Sequence, residues 1–102
     1  MGEKQSTDVV ILDLRPVTTM ADFFVIGSAD STRQLRAVVE AVEDRLREDA
    51  GIKPIAREGE PESGWLLLDY GTLMIHVFDP MRRAFYDLET LWGEAPLVAR
   101  MA

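Results

Sequence analysis

The chain has 102 residues, 47% of them apolar and 28% charged, with a formal net charge of −7, no cysteine and one histidine. This is the size and balance of one globular domain, and it excludes disulfides, thiolate metal sites and a histidine-rich metal centre. The negative charge argues against autonomous nucleic-acid binding and favours a basic partner, although it also serves solubility alone.

The opening residues, MGEKQSTD, lack the apolar core of a signal peptide, and the longest apolar runs fall well short of a membrane span. A cytoplasmic or equivalent soluble setting is expected. Residues 9–14 (VVILDL) are apolar and β-branched, which predicts a buried strand that ends at Arg15-Pro16. A second strand is predicted over 23–26, closed by Gly27-Ser28.

Residues 31–50 carry the clearest helical pattern. Leu35, Val38, Val39, Val42 and Leu46 make one apolar stripe, and Arg36, Glu40, Glu43, Asp44, Arg47 and Glu48 make a solvated face. Ser31 and Gln34 fit a capping box, and Gly51 fits a left-handed C-cap.

A short edge strand is expected over 53–57, with Pro54 inside it, followed by an acidic, turn-rich loop over 58–64. Two further strands, Trp65–Asp69 and Leu73–Phe78, flank Tyr70-Gly71-Thr72 and predict an antiparallel hairpin. Both sides of the second of these strands are apolar, which suits a central position. A last helix is expected over 79–92, with Asp79 as N-cap, Pro80 in its first turn, and Met81, Phe85, Leu88 and Trp92 as its core stripe. Arg83, Tyr86 and Glu89 would project as a strip beside that stripe. These elements predict an α/β class: a single-domain sandwich with a mixed five-stranded sheet over residues 9–93, and short tails at 1–8 and 94–102.

The stretch 65–92 holds both tryptophans, both tyrosines, the only histidine and two of the four phenylalanines. Tyr, Trp and Arg at that density can build an interface or a core. Three readings of local chemistry compete along the chain. Gly27-Ser28 before a helix resembles a phosphate-binding turn, but no Asp-x-Asp or Asp-x-Glu strand pair follows it to hold a divalent metal. His76 with Asp69 or Asp79 and with Ser28 or Ser63 could form a triad, yet no nucleophile elbow is present, and a lone histidine on a buried strand is more often structural. Asp69-Tyr70-Gly71 reads either as a tight hairpin turn or as a contact point that presents Tyr70.

Taken together, the residues resemble the ribosomal silencing factor family, also called Iojap-like proteins. The matching pieces are VVILDL, Ala21-Asp22-Phe23-Phe24-Val25-Ile26 leading to Gly27-Ser28, Ser31-Thr32-Arg33-Gln34, Glu58-Gly59, Trp65-x3-Asp69-Tyr70-Gly71, His76-x-Phe78, and Arg83-x2-Tyr86-x-Leu88-Glu89-x-Leu91-Trp92. The resemblance implies a non-enzymatic translation repressor without cofactor, metal or catalytic residues. Such a protein binds ribosomal protein fourteen of the large subunit and blocks joining with the small subunit when nutrients are scarce.

The resemblance also implies a fold similar to that of nucleotidyltransferases but without their catalytic carboxylates, in which a sheet edge or an apolar helix face can pair two copies symmetrically as a homodimer. It places partner contacts at Trp65, Asp69, Tyr70, Gly71, His76, Arg83, Tyr86 and Glu89. Leu66 and Leu68 lie on the strand face opposite Trp65, Leu67 and Asp69, so only one set can face a partner. Trp92 is assigned to packing. Family members usually carry a helix before the first strand, for which the eight residues ahead of Val9 are too few; the chain is either short there or trimmed. A nucleotidyltransferase-like nucleotide binder or enzyme, and a dimeric scaffold with another basic partner, are the alternatives.

Overall fold

The computed structural model describes residues 7–101, and the side chains of Thr7, Asp8 and Met101 are left aside. The N-terminal stretch for which no preceding helix is expected lies outside the described residues. A single mixed sheet runs through the molecule. Its strands are β1 (Thr7–Asp13), β2 (Phe23–Ser28), β3 (Ala56–Glu60), β4 (Trp65–Asp69), β5 (Leu73–Phe78) and β6 (Leu97–Met101).

The sheet therefore has six strands, not the expected five. The sixth lies within the stretch expected to be a tail, where the chain extends after Pro96 and Leu97, Ala99 and Arg100 pair with Leu12, Ile11 and Val10 of β1. The spatial order is β3-β4-β5-β2-β1-β6. Every neighbouring pair is antiparallel except β2 and β5, which run parallel with Phe24 beside Met74 and Ile26 beside His76.

The strand β3 starts later than expected, because Pro54 and Ile55 precede its ladder. Helix α1 (Thr32–Ala50) agrees with its pattern. The Ser31 Oγ accepts from the Gln34 N–H at 3.0 Å, the Gln34 side chain accepts from the Asp30 N–H at 2.5 Å, and Gly51 closes the helix at φ +68°. Gln34 thus reaches one residue further back than a strict capping box requires. The buried side chains of α1 are Leu35, Val38 and Val39; they pack with Leu66, Leu68, Ile75 and Val77 on one face of the sheet. Val42 and Leu46 extend that contact.

The opposite face carries Val10, Leu12, Phe24, Ile26 and Phe78, closed over by Trp65, Met74, Leu88 and Trp92. Strand alternation makes this division: successive residues of β4 and β5 point to opposite layers. Two short helices cover this second face, α2 (Pro80–Tyr86) and α3 (Leu88–Leu91). The single helix expected over 79–92 is broken at Asp87, whose φ of +47° no helix can continue.

Candidate functional surface

Alternation along β4 puts Trp65 on the α2 side of the sheet, beside Phe78 of β5. The approach of β3 to Trp65 depends on Gly59. At φ +85°, a Cβ there would collide with the Trp65 carbonyl oxygen and lie 2.8 Å from the indole Cε3. The indole is partly buried, and its Nε1–H donates to the His76 Nδ1 at 3.4 Å.

His76 itself is buried. Phe24 meets its ring edge-on at 4.7 Å, and the Phe78 ring lies nearly parallel to it at 6.0 Å. Its Nε2 meets no hydrogen-bond partner among the described residues. Burial lowers its pKa to about 4, so near neutral pH the ring is uncharged. With Nδ1 accepting from Trp65, the proton is assigned to Nε2. His76 is thus an inner plate behind Trp65, not an outward contact.

The Asp79 Oδ1 caps α2 by accepting from the Arg82 N–H at 2.7 Å, and Pro80 supplies the first turn. Gly64, at φ +80°, leaves room for that carboxylate. The expected core stripe of α2 is not observed. Met81 and Phe85 are 70% and 77% exposed, while Arg83 turns inward and is only 9% exposed. The turn at Asp87 explains the change: Leu88 and Trp92 reach the core from α3, on a different axis from the residues of α2.

The inward Arg83 guanidinium donates from Nη1 to the Ser28 Oγ at 2.7 Å. Its Nε and Nη2 donate to the two carboxylate oxygens of Glu89 at 3.2 and 3.0 Å. Tyr86 is exposed, with its ring 5.8 Å from that of Phe78 and 5.2 Å from that of Phe85.

The β4–β5 turn is built by Asp69, whose Oδ1 accepts from the Gly71 N–H at 2.8 Å, with Gly71 at φ +86°. Tyr70 leaves that turn toward the other layer and, partly buried, packs against the core that α1 covers. Burial and the nearby Glu43 carboxylate push its phenol pKa up.

The eight residues assigned to contact thus separate. Trp65, His76, Arg83, Tyr86 and Glu89 gather on the α2 side, Tyr70 packs on the α1 side, and Asp69 and Gly71 form the turn at the sheet end. Of the α2-side group, Trp65 and Tyr86 line an open groove with Gly59, Glu60, Glu62 and Ser63. Next to Tyr86 stands Phe85, and Met81 and Leu91 are exposed elsewhere on the same two helices. Met81 and Phe85 were hidden from sequence reasoning because their spacing imitates a core stripe. Glu60 and Ser63 gave no signal of their own.

The groups of the alternative chemistries are engaged elsewhere. Ser28 ends β2 as a buried acceptor for Arg83, and the Ser63 Oγ donates to the Glu60 carbonyl at 2.7 Å. The Asp69 carboxylate serves its turn and the Asp79 carboxylate its helix cap.

Comparison with known proteins fits this arrangement. The family model described as "Ribosomal silencing factor during starvation" matches residues 1–101. A ribosomal silencing factor of Bacillus subtilis is 37% identical over 93% of this chain and 80% of its own length. The chloroplastic protein Iojap of Zea mays is 36% identical over 92% of this chain and 40% of its own length. A crystal structure of a Chromobacterium violaceum protein superposes with a TM-score of 0.83 at 33% identity, covering 89% of this chain and 75% of that one.

Proposed function

Because the chain belongs to the ribosomal silencing factor family, we propose that it represses translation by binding the large ribosomal subunit and sterically blocking its union with the small one. Ribosomal protein fourteen is the docking partner in this reading, and nutrient limitation is the occasion. The observation that carries it is the α2-side surface, where Trp65, Phe85 and Tyr86 stand together beside Glu60 and Glu62 on a protein of net charge −7.

Such a surface suits a basic protein. Aromatic side chains supply desolvated contact area and can stack with an arginine or lysine, and the surrounding carboxylates speed encounter. Trp65 and Tyr86 are the contact residues of this reading. Arg83, His76 and Glu89 support them from behind, and Asp69, Tyr70 and Gly71 shape the neighbouring end of the sheet.

The reading extends to three further points. The mixed sheet is related to that of nucleotidyltransferases, with Ser28 committed to Arg83 at the place where that chemistry would hold phosphate. The protein acts in the bacterial cytoplasm or its organellar equivalent. Two copies associate along β6, a sheet edge with Leu97 and Val98 exposed, and sedimentation of the free protein reads that mass.

The central test is co-sedimentation with isolated large subunits, with small subunits as the control, followed by a subunit-joining assay. Selective large-subunit binding that lowers the yield of joined ribosomes is expected. Equal binding to both subunits, or joining that proceeds unchanged at saturation, refutes the proposal. Titration with nucleoside triphosphates and Mg²⁺ should give no heat.

A further inference from the structure

Helix α2 is held to the sheet in an unusual way. Among its residues only Arg83 is buried, while Met81 and Phe85 point to solvent. Apolar burial therefore contributes little to seating this helix. The chief buried links from its side chains are polar ones made by a single guanidinium. Arg83 reaches the Ser28 Oγ at 2.7 Å on β2, a residue distant in sequence and itself buried. It also grips both oxygens of Glu89 across the backbone reversal at Asp87. One planar group thus joins three elements: the end of β2, helix α2 and helix α3. A guanidinium can do this because its donors form a rigid fork, two of them matched to a carboxylate and another left for the hydroxyl.

We infer that Arg83, Ser28 and Glu89 are positioning residues: their network sets the pose of α2, and thereby the placement of Phe85 and Tyr86 on the recognition surface. This rests on the function proposed above for its consequence, but the geometry of the network stands apart from it. Ser28 is the informative member. Being buried at the end of β2, it cannot touch a partner, so any effect of its hydroxyl on recognition must pass through Arg83. Replacing the bidentate arginine with lysine would keep the charge and lose the fork, which separates positioning from simple charge attraction.

The test compares amide hydrogen exchange and large-subunit affinity in the wild type, Ser28→Ala, Arg83→Lys and Glu89→Gln. Loss of the Ser28 hydroxyl is expected to speed exchange across residues 83–91 by about tenfold while amides of β2 and β5 keep their protection. Arg83→Lys should do the same, and Glu89→Gln, which keeps an acceptor, less. Affinity for the large subunit should fall in the same rank order. Exchange over 83–91 that is unchanged in Ser28→Ala and Arg83→Lys overturns the inference. So does loss of protection spread evenly over the whole sheet, since the network would then serve the core in general. If the wild type itself fails to bind large subunits, the proposed function falls, and the exchange arm still decides the role of the network.

Discussion

On one face of the sheet, α1 seats itself with Leu35, Val38 and Val39, all buried against Leu66, Leu68, Ile75 and Val77. On the other, α2 buries an arginine and exposes its methionine and phenylalanine. The first contact is non-directional and large, with each buried aliphatic side chain contributing about 1.5–3 kcal/mol. The second is directional, and it leaves apolar area free for another molecule. Both faces of the sheet hold a buried core, with Val10, Leu12, Phe24, Ile26 and Phe78 on the α2 side, so the contrast lies in how the covering helices are seated.

That contrast can be broken experimentally. The largest effect should come from the α1 side: Leu35→Ala is expected to lower the unfolding free energy by about 2–5 kcal/mol, read by urea denaturation. A loss below about 1 kcal/mol would mean that α1 is not seated by its apolar stripe.

Acid should act through the other side. The folded pKa of His76 is about 4, below the ordinary 6.5. Between those values the unfolded chain binds the extra proton and the folded chain does not, so stability is complete above about pH 6.5 and falls as the pH drops toward 4. The expected loss is roughly 3 kcal/mol, levelling off below the folded pKa. The informative comparison is His76→Gln, which should remove the part of the slope between pH 6.5 and 5. An unchanged slope there would show that His76 is not the titrating group.

Smaller effects separate recognition from folding. Phe85→Ala should shift stability by no more than about 0.5 kcal/mol, yet weaken binding to the large subunit by about 1–2 kcal/mol. A drop in stability without a change in affinity would reverse the role assigned to Phe85. The smallest change is at the helix break. Asp87 sits at φ +47° and its side chain caps nothing, so Asp87→Gly should raise stability by about 0.5 kcal/mol, visible as a modest rise in Tm.

Much of the α1 side was legible in the sequence because one physical rule governs it. A stripe at helical spacing, a Ser cap and a terminal glycine all point to the same helix, and the structure contains it. The β4–β5 hairpin was equally legible from Asp69-Tyr70-Gly71. The α2 side was not. Met81, Phe85, Leu88 and Trp92 satisfy the spacing of one continuous helix, and nothing local announces that Asp87 will adopt a left-handed conformation. Once it does, the register of Met81 and Phe85 no longer follows that of Leu88 and Trp92.

Helical spacing with Tyr86 and Glu89 places Arg83 on a strip beside the expected core stripe, whereas the structure buries it. Its burial depends on Ser28, a partner supplied by tertiary structure. The sixth strand was missed for a similar reason: a short segment such as Leu97–Met101 becomes a strand only when an edge such as β1 is there to pair with it.

The parallel pairing of β2 with β5 has a kinetic consequence. The two strands lie far apart in the chain, with α1, β3 and β4 between them. The β4–β5 hairpin can close locally and quickly, and β1 with β2 can pair across a modest loop. The seam between these two halves must wait for a large loop to close, so its formation is expected to limit the folding rate. Until then the inner edge of β2 stays open. Ser28, at the end of that edge, gains its hydroxyl contact with Arg83 only after the halves have met, so the seating of α2 is expected to be among the last parts of the molecule to mature.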